Sequence, residues 1–424
     1  MSPAPVSPAS LSPAPAPPSI SLPNVSMEIP AHVPPGLVRD FPLAARQTIY
    51  ENPHEALMPA IHAGPPALMA TNGYLGFYPC WVFRRSEDIK TLFQDTQNFV
   101  KKGNTGFAAM IGEDWDVIPT ELDPPRHTAI RRLLNPLFTP ASVAVMEHKV
   151  RERARSTVAA FRERGHCEFI REFAAPYPVS IFLDLLGLPV DRIWEFLEWE
   201  FALLHSSRIE ERAAGVRAVK AYLLEVIEER RKRPGDDLIS NALRLEVDGQ
   251  KLTPIEVFGH CFNLYLGGLD TVSAAIGMQF AYLARNGEQQ ARLRADPSLL
   301  PKAMMELLRA YATTSHYRVC SQDVEVCGVL VKAGDKVMVS PALAGRDPEA
   351  YDNPGEIRFD RNAPLLTFGY GIHRCLGVYL AQREMLFALE EVLAALPPFR
   401  LRDGFAIPYR TGGVMQAAAL EIEW

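Results

Sequence analysis

Apolar residues recur at helical spacing along most of the chain, with charged residues on the opposite faces. Residues 141–245 keep this pattern almost throughout, which predicts a bundle of amphipathic helices. The stretch 253–285 is apolar on nearly every face and opens with a capping box of Thr253 and Glu256, so we expect a long helix buried in the core. Strand-like runs are short, and GFYPCWVF at 76–83 is the clearest of them. The pattern therefore predicts a mainly α fold with a small β region.

The first 35 residues have a different composition, rich in Pro, Ala and Ser. Such a tract cannot bury enough apolar surface to fold, so we expect a disordered tail over residues 1–35. The folded part of the chain is then residues 36–424. Length alone, at 424 residues, is compatible with two or three domains.

Charge and composition exclude several classes of protein. The net charge of −6 leaves no basic footprint for nucleic acid, and no apolar run in the sequence reaches membrane-spanning length. The six cysteines are scattered without the spacing of a disulfide framework, which is typical of reduced thiols in a cytosolic protein. We therefore expect a cytoplasmic protein that binds neither nucleic acid nor membranes.

The segment FGYGIHRCLG, from Phe368 to Gly377, places Cys375 between a glycine-rich turn and an apolar helical run. A thiol near a helix N-terminus is expected to have a lowered pKa, and Gly377 leaves room for a flat group against the helix. A nucleophilic cysteine would need a base, and a zinc site would need further ligands at suitable spacing; the neighbouring sequence supplies neither. A single thiolate beside a flat cofactor favours haem iron, and a buried structural cysteine is the alternative.

Polar and small residues interrupt the predicted core helix at its centre, in the sequence GGLDT from Gly267 to Thr271. Two glycines, a carboxylate and a hydroxyl are costly inside an apolar helix. The Thr271 hydroxyl lies four residues after Gly267, so it can bond the Gly267 carbonyl and open the helix locally. A groove for a diatomic ligand would result; a packing notch for another helix is the alternative.

Two further pairs of residues have helical spacing. His127 and Arg131 are four residues apart on the helix predicted after the DPP segment, and together they can bind a carboxylate or phosphate. A surface pair without function is the alternative. Glu306 and Arg309 share one helix face, but an E-x-x-R match alone is a weak signal.

Together these segments resemble the cytochrome P-450 superfamily. FGYGIHRCLG fills every fixed position of its haem-binding loop, F-x-x-G-x-[HR]-x-C-x-G; GGLDT matches its oxygen-activation motif, [AG]-G-x-[DE]-T; and DPPRHTAIR matches its D-P-P-x-H-x-x-x-R segment. The resemblance covers about residues 30–424 and is closest to the soluble, bacterial-type camphor-hydroxylase branch, through YLGGLDTVSAAIGMQFAYLA and SIFLDLLGLP. It implies one domain over residues 36–424 with the P-450 fold, in which haem lies between the long central helix and the helix after Cys375.

The resemblance also implies roles for individual residues. Cys375 would ligate the iron of haem b, Thr271 would hydrogen-bond the bound oxygen and a water, and Asp270 would relay protons to it. The residues expected to hold the haem propionates are His127, Arg131, Arg318 and His373, and those expected to contact the ring are Phe368, Gly267 and Gly377. The structural charge network expected behind the haem consists of Glu306, Arg309 and Arg361. Such a network is costly to break, because removing one partner strands the others.

Partners and substrate follow from the resemblance in the same way. A 2Fe-2S ferredoxin and its NADH-dependent reductase would supply two electrons for hydroxylation of a small hydrophobic substrate by O₂. The residues expected to line the substrate pocket are Phe107, Trp115, Asn263, Leu266, Thr314 and Val414. They describe a small, mainly apolar cavity suited to a cyclic terpenoid or norisoprenoid, with Asn263 and the Trp115 indole N–H as polar contacts. A monomer is expected.

Two other functions remain open from the sequence. A haem-thiolate peroxygenase or decarboxylase would take H₂O₂; the pair Asp270–Thr271 argues against it, because such an enzyme needs no proton relay for O₂. A non-catalytic haem sensor would lack both that relay and a surface for an electron donor. Product formation driven by NADH through a ferredoxin distinguishes the three.

Overall fold

The computed structural model describes residues 26–362 and 365–424. Helices dominate, as the hydrophobic pattern predicts, and none in the described part of the chain is long and apolar enough to cross a membrane. The helices are α1 (Pro53–Ala56), α2 (Met58–His62), α3 (Ser86–Gln94), α4 (Phe107–Met110), α5 (Arg126–Leu134), α6 (Pro140–Ala144), α7 (Glu147–Ala159), α8 (Pro176–Leu186), α9 (Ile193–His205), α10 (Ile209–Lys232), α11 (Leu238–Ala242), α12 (Pro254–Leu269), α13 (Thr271–Arg285), α14 (Gly287–Ala295), α15 (Leu300–Ala310), α16 (Pro341–Gly345) and α17 (Val378–Ala395).

The strands are short and form a minor part of the fold. They are β1 (Val38–Arg39), β2 (Thr48–Ile49), β3 (Ala67–Tyr74), β4 (Tyr78–Phe83), β5 (Phe99–Val100), β6 (His166–Glu168), β7 (Glu246–Val247), β8 (Gln250–Lys251), β9 (His316–Cys320), β10 (Val324–Val326), β11 (Val329–Val331), β12 (Lys336–Val339), β13 (Arg400–Leu401), β14 (Tyr409–Arg410), β15 (Gln416–Ala417) and β16 (Glu421–Glu423). The largest sheet has the order β1-β3-β4-β12-β9-β5. Within it, Trp81 pairs with Met69 of β3 and with Val337 of β12, and both faces of β4 are buried.

The predicted core helix is in fact two helices, α12 and α13, which meet at Asp270. The predicted capping box opens α12: the Thr253 hydroxyl accepts from the Glu256 N–H, and the Glu256 carboxylate accepts from the Thr253 N–H. Every residue of α13 from Val272 to Ala284 is buried. Because α13 packs against α8, α15 and α17, the break in the helix lies in the core of the molecule.

The predicted charge network of Glu306, Arg309 and Arg361 is present. Arg309 donates to both oxygens of Glu306, through Nη2 to Oε1 at 2.7 Å and through Nε to Oε2 at 2.8 Å. Arg361 donates through Nε to the same Oε1 at 3.1 Å. Glu306 and Arg309 are buried and Arg361 is partly buried, and the network ties α15 to the segment that leads into the Cys375 loop.

The folded chain begins earlier than predicted. Residues 1–25 of the predicted tail lie outside the described residues. Val33 is buried and the His32 imidazole lies 2.8 Å from the Asp335 carboxylate, so the boundary at residue 35 is too late. The reason is that the apolar residues Ile29 and Val33 follow the Pro-rich tract and pack onto the core beside the large sheet.

Candidate active site

A cavity of about 350 Å³ lies between the α12–α13 break and the loop that precedes α17. Its wall includes Gly267 and Thr271 from the break and Cys375 and Gly377 from the loop. The fold therefore brings the two motifs, which are far apart in the sequence, to one cavity.

Glycine shapes the loop before α17. Gly369 and Gly371 have φ angles of +72° and +71°, a left-handed conformation that other residues disfavour. The Cys375 N–H donates to the Phe368 carbonyl at 2.8 Å and closes the turn. Since α17 begins at Val378, Cys375 lies just before the helix N-terminus, as predicted.

The thiol of Cys375 is exposed to the cavity but lies deep inside the protein. Burial raises its pKa, and this outweighs the Gly377 N–H and the Arg131 guanidinium, which act in the opposite direction. The prediction of a lowered thiol pKa at this helix end is therefore wrong for the protein alone. A metal cation deprotonates a coordinating thiol outright, so metal binding supplies what the helix dipole does not.

Two glycines leave open space on the cavity wall because they carry no side chain. A Cβ atom on Gly267 or on Gly377 would meet no other atom within 4 Å. Gly268 differs, because a Cβ atom there would lie 2.0 Å from the Phe182 ring, so this glycine admits that ring. The space predicted for a flat group beside Gly377 is thus present, and Gly267 borders the same cavity.

Basic side chains crowd together at this cavity, and many of their nitrogen atoms have no partner. They are Lys101, Arg131, Arg318 and His373 on the cavity wall, together with His127, whose ring packs against His373. The buried nitrogens without a hydrogen-bond partner are Nε of Arg131, Nε and Nη2 of Arg318, Nδ1 and Nε2 of His127 and Nε2 of His373. The rings of His127 and His373 lie 4.0 Å apart between centroids.

Burial lowers the pKa values of all five side chains. Repulsion by neighbouring positive charges adds to this effect at Lys101, His127 and His373. Desolvation is the main cause at His127, whose pKa falls to about 4, and the nearby charges of Arg131 and Lys101 add to it. Desolvation also lowers the pKa of Arg318 to about 10 and the pKa of Lys101 far below its usual value. Buried donors without acceptors are unfavourable, so the cluster is arranged for an anionic ligand.

These features fit haem b. The propionates of haem would accept from the unpartnered donors of His127, Arg131, Arg318 and His373, and its flat ring would occupy the space that Gly267 and Gly377 leave open. Phe368 also lies on the cavity wall. Cys375 would be the axial ligand.

The Thr271 hydroxyl donates to the Gly267 carbonyl at 3.3 Å, the bond predicted from their spacing. Ser273 makes a similar bond to the Leu269 carbonyl at 3.1 Å, and together these bonds replace backbone contacts where α12 ends. Thr271 lies on the cavity wall. Asp270 does not: its carboxylate lies 3.0 Å from Nε2 of His205, on the side of α9.

Three predicted pocket residues, Asn263, Leu266 and Thr314, lie on the cavity wall. A hydrogen bond that the sequence analysis missed joins this part of α12 to the loop opposite. The Thr120 hydroxyl donates to Asn263 Oδ1 at 2.6 Å. Because Oδ1 accepts this bond, the amide nitrogen of Asn263 remains as the donor end of the side chain.

The loop that carries Thr120 is held in place by one buried carboxylate. Glu121 accepts from the Thr105 N–H at 2.9 Å and from the Val117 N–H at 3.0 Å. Thr105, Val117 and Thr120 all line the cavity. The segment that carries these three residues thus forms one wall of the cavity.

Phe107 and Trp115 are not on the cavity wall, and this corrects their assignment to the pocket. Their rings pack against the aromatic face of α12, with centroid distances of 5.7 Å for Phe107–Phe262 and 4.8 Å for Trp115–Phe258. The Trp115 indole N–H donates to Glu113 at 2.7 Å. It is therefore not available to a substrate.

Val414 is also absent from the wall; it forms a backbone β-bridge with Thr314 at the edge of the cavity and is itself buried.

Lys101 and Thr120 are the site residues that sequence reasoning missed. The doublet Lys101–Lys102 is typical of exposed charge, and only tertiary packing places the first lysine inside. The sequence around Thr120 has no repeating apolar pattern that could have indicated which way its side chain points.

Known proteins share this architecture. Residues 188–397 match the family model described as Cytochrome P450. The probable cytochrome P450 127A1 of Sinorhizobium fredii is 38% identical over 402 residues, which cover 93% of this chain and 97% of that protein. The crystal structures of CYP101J2 and CYP101C1 align with TM-scores of 0.82 at 32% and 33% identity; each covers 94% of this chain, and the alignments span 99% and 100% of those chains.

The match to the Sinorhizobium protein extends over nearly the whole of both chains, so it includes the cavity, the GGLDT break and the Cys375 loop. The structural matches extend as far and belong to the branch that the sequence resembles. The chain is therefore a member of the cytochrome P450 family, a haem b monooxygenase similar to the bacterial camphor-hydroxylase branch.

Proposed function

We propose that this cytochrome P450 hydroxylates a small, mainly apolar substrate that carries one oxygen able to accept a hydrogen bond. A cyclic terpenoid or norisoprenoid has this chemistry. The observation that carries the proposal is the oriented amide of Asn263, which lies on a wall whose neighbours include Val117, Leu266 and Phe182. Pockets with a few fixed polar groups on a mainly apolar wall are typical of small-molecule sites.

The residues that would hold the cofactor have separate tasks. Cys375 would ligate the iron, and His127, Arg131, Arg318 and His373 would hold the propionates. When bound, the haem supplies the site at which O₂ is reduced by two electrons and two protons, with one oxygen atom entering the substrate and the other leaving as water. Lys101 adds a buried amine that the family motifs did not indicate, and a bound propionate would favour its protonated form.

Thr271 would position a proton donor beside the groove at Gly267. Its hydroxyl hydrogen is used by the Gly267 carbonyl, which leaves the Oγ1 lone pairs to accept from a water in the cavity. That water can give up a proton and be reprotonated from Asp270, the neighbouring acid. The hydroxyl faces the cavity and the carboxylate faces α9, so the pair joins the cavity to the protein on the other side of the helix break.

Asn263 would hold the substrate by its oxygen. A ketone or hydroxyl group accepts from the Asn263 amide nitrogen, while the apolar body of the substrate contacts Leu266 and Val117. The Trp115 indole was the other predicted donor, and its N–H is occupied by Glu113. The amide is therefore the contact that selects a ketone over a hydrocarbon.

A 2Fe-2S ferredoxin with an NADH-dependent reductase is proposed as the electron donor, and the similarity to the CYP101 structures supports it. The cytoplasmic location and the monomeric state stay predictions. The pair Asp270–Thr271 supports O₂ as the oxidant over H₂O₂, since a peroxide-driven enzyme needs no proton relay for O₂.

The test begins with the reduced protein under CO, whose strongly red-shifted Soret band reports thiolate ligation. A panel of cyclic terpenoid ketones, the matching hydrocarbons and fatty acids is then titrated into the ferric protein. The ketones should give the strongest spectral shifts, and they should be hydroxylated with NADH and a ferredoxin pair. Shifts with fatty acids alone would contradict the substrate class. Turnover with H₂O₂ but not with NADH would favour the peroxygenase.

A further inference from the structure

A buried cluster of three titratable side chains lies behind the helix break, away from the cavity wall. His205 is the last residue of α9, Glu200 lies earlier on the same helix, and Asp270 joins α12 to α13. Their exposed fractions are 8%, 3% and 4%. One oxygen or ring nitrogen of each lies within 4.8 Å of the others. Ionisable groups this deeply buried and close together are typical of sites where protons move.

His205 has two partners at the same ring nitrogen. Its Nε2 lies 3.0 Å from Asp270 Oδ2 and 3.0 Å from the side-chain nitrogen of Gln416 on β15. A protonated Nε2 donates to the Asp270 carboxylate. A deprotonated Nε2 accepts from the Gln416 amide or from a protonated Asp270. The proton can therefore sit on His205 Nε2 or on Asp270 Oδ2, and in either case it has a hydrogen-bond partner without any movement of the side chains. A proton transfer between His205 and Asp270 requires this.

Glu200 is the acid beside this imidazole. Its Oε1 is buried without a hydrogen-bond partner. Burial raises the pKa of Glu200 well above its usual value, and the charge of Asp270 acts in the same direction. The Arg410 guanidinium on β14 acts in the opposite direction and is the cation of the cluster. A divalent metal ion is disfavoured here, because it would be repelled by Arg410.

An exposed aromatic ring covers one face of the His205 imidazole. Phe201 stacks on the His205 imidazole, with ring centroids 5.6 Å apart, and is 39% exposed. The Arg410 guanidinium lies 4.5 Å from the centre of the Phe201 ring. The charged and titratable groups that face His205 are thus Glu200 from α9, Asp270 from the helix junction and Arg410 from β14.

We propose that His205 supplies protons to Asp270 and that Glu200 reloads His205. In each transfer one proton leaves Nε2 of the imidazolium for Asp270 Oδ2, and the ring becomes neutral. Glu200 then gives its carboxyl proton to the ring and recovers one from solvent; no electrons move. His205 and Glu200 are positioning residues in this scheme, since they act through Asp270. The inference rests on the proposed role of Asp270 as the acid that serves Thr271.

If His205 only held the Asp270 carboxylate in place, a side chain that donates a hydrogen bond but cannot carry a proton would replace it without loss. Gln at position 205 retains an N–H that can donate to Asp270 and hold its carboxylate in place, but it cannot carry a proton. His205→Gln therefore separates orientation from transfer. His62→Gln is the matched control, because His62 is also a buried imidazole, bonded to the Leu343 carbonyl at 3.1 Å and facing no carboxylate of this cluster.

The haem-loaded proteins are adsorbed on a rotating ring-disc electrode under O₂, which supplies electrons without a ferredoxin and measures H₂O₂ against water. His205→Gln and Glu200→Gln should each raise the peroxide-to-water ratio about tenfold, because reduction of O₂ to water consumes twice as many protons as reduction to H₂O₂ and so depends more on proton delivery. The ratio should rise with pH in the unsubstituted protein and in His62→Gln, and it should be insensitive to pH in His205→Gln. An unchanged ratio and pH profile in His205→Gln would overturn the relay.

Two further measurements distinguish a failure of the proton relay from a failure of the proposed function. The CO spectrum of each reduced protein reports the thiolate ligand, so its absence in the unsubstituted protein contradicts the proposed function itself. Infrared difference spectra in H₂O and D₂O report protonated carboxyl groups without turnover. Glu200→Gln should remove one such C=O band at neutral pH, and His62→Gln should keep it. If Glu200→Gln removes no band, Glu200 is ionised and the reloading step is wrong.

Discussion

The Thr120 hydroxyl donates to the side-chain carbonyl of Asn263 at 2.6 Å and so joins the loop wall of the cavity to α12. This contact fixes which end of the Asn263 amide can meet a substrate. A threonine and an asparagine that lie far apart in the sequence thus define the polar point of a mainly apolar cavity.

Asn263→Leu should weaken binding of a terpenoid ketone about fivefold, because one hydrogen bond contributes about 1 kcal/mol. The matching hydrocarbon should bind as before. Spectral titration of the ferric protein measures both. Thr120→Val is the matched variant: it keeps the amide but removes the bond that orients it, so its effect on the ketone should be smaller. Equal losses for ketone and hydrocarbon in Asn263→Leu would show that the residue acts through cavity shape alone.

The parts of the fold and site that could be predicted are those whose residues all lie within one short segment of the sequence. The Cys375 loop and the GGLDT break were predicted because glycine, thiol, hydroxyl and carboxylate stand at short, chemically meaningful spacing. The buried core of α12 and α13 followed from their apolar composition. The pairing of β4 with β12 could not be predicted, since it joins distant segments without a periodic signal.

The errors in the pocket have the same origin. Phe107 begins the single-turn helix α4 and Trp115 lies in the loop after it, so no repeating pattern indicates which way either ring points. The two rings pack on Phe262 and Phe258 instead of facing the cavity. Lys101 was missed because a lysine is almost never fully buried unless paired. Its amine is buried here near Arg318, Glu121 and Asp123, surroundings that only tertiary packing creates.

Lys101→Met should weaken haem retention severalfold and lower the reduction potential of the bound haem. The reason is that the negative propionates would favour the protonated form of this buried amine, and the variant removes that charge. Transfer of haem to an excess of an apoglobin measures retention, and a spectroscopic redox titration measures the potential. Lys102→Met is the matched control, since its amine is exposed and paired with Asp116 at 2.6 Å. If both variants behave alike, the buried position of Lys101 has no bearing on the haem.

Thr271→Ala should keep the CO spectrum and substrate binding but lower product formed per NADH roughly tenfold, with H₂O₂ or water formed in its place. The reason is that alanine cannot hold the water that the hydroxyl positions beside Gly267. Thr271→Ser is the matched control, because it keeps the hydroxyl and loses only a methyl group. Product yield per NADH that is unchanged in Thr271→Ala would remove Thr271 from proton delivery.

The stability of the protein should fall in mild acid because of His54, which is remote from the Cys375 loop. Its imidazole is fully buried and bonded to the Ala312 carbonyl at 2.8 Å. Burial lowers its pKa to about 3, and the nearby Arg346 charge adds to this effect. An unfolded histidine has a pKa of about 6.5, so between these two values the unfolded state binds more protons and the free energy of unfolding decreases as the pH falls.

From about pH 7.5 to about pH 5 this one group should account for about 2 kcal/mol of lost stability. Urea unfolding at the two pH values measures the loss, and His54→Gln, which cannot titrate, should show a correspondingly smaller difference between them. His148→Gln serves as the control, because His148 is exposed on α7 and should leave the difference unchanged. A His54→Gln variant with the full acid loss would mean that other buried groups, and not this imidazole, take up the protons on unfolding.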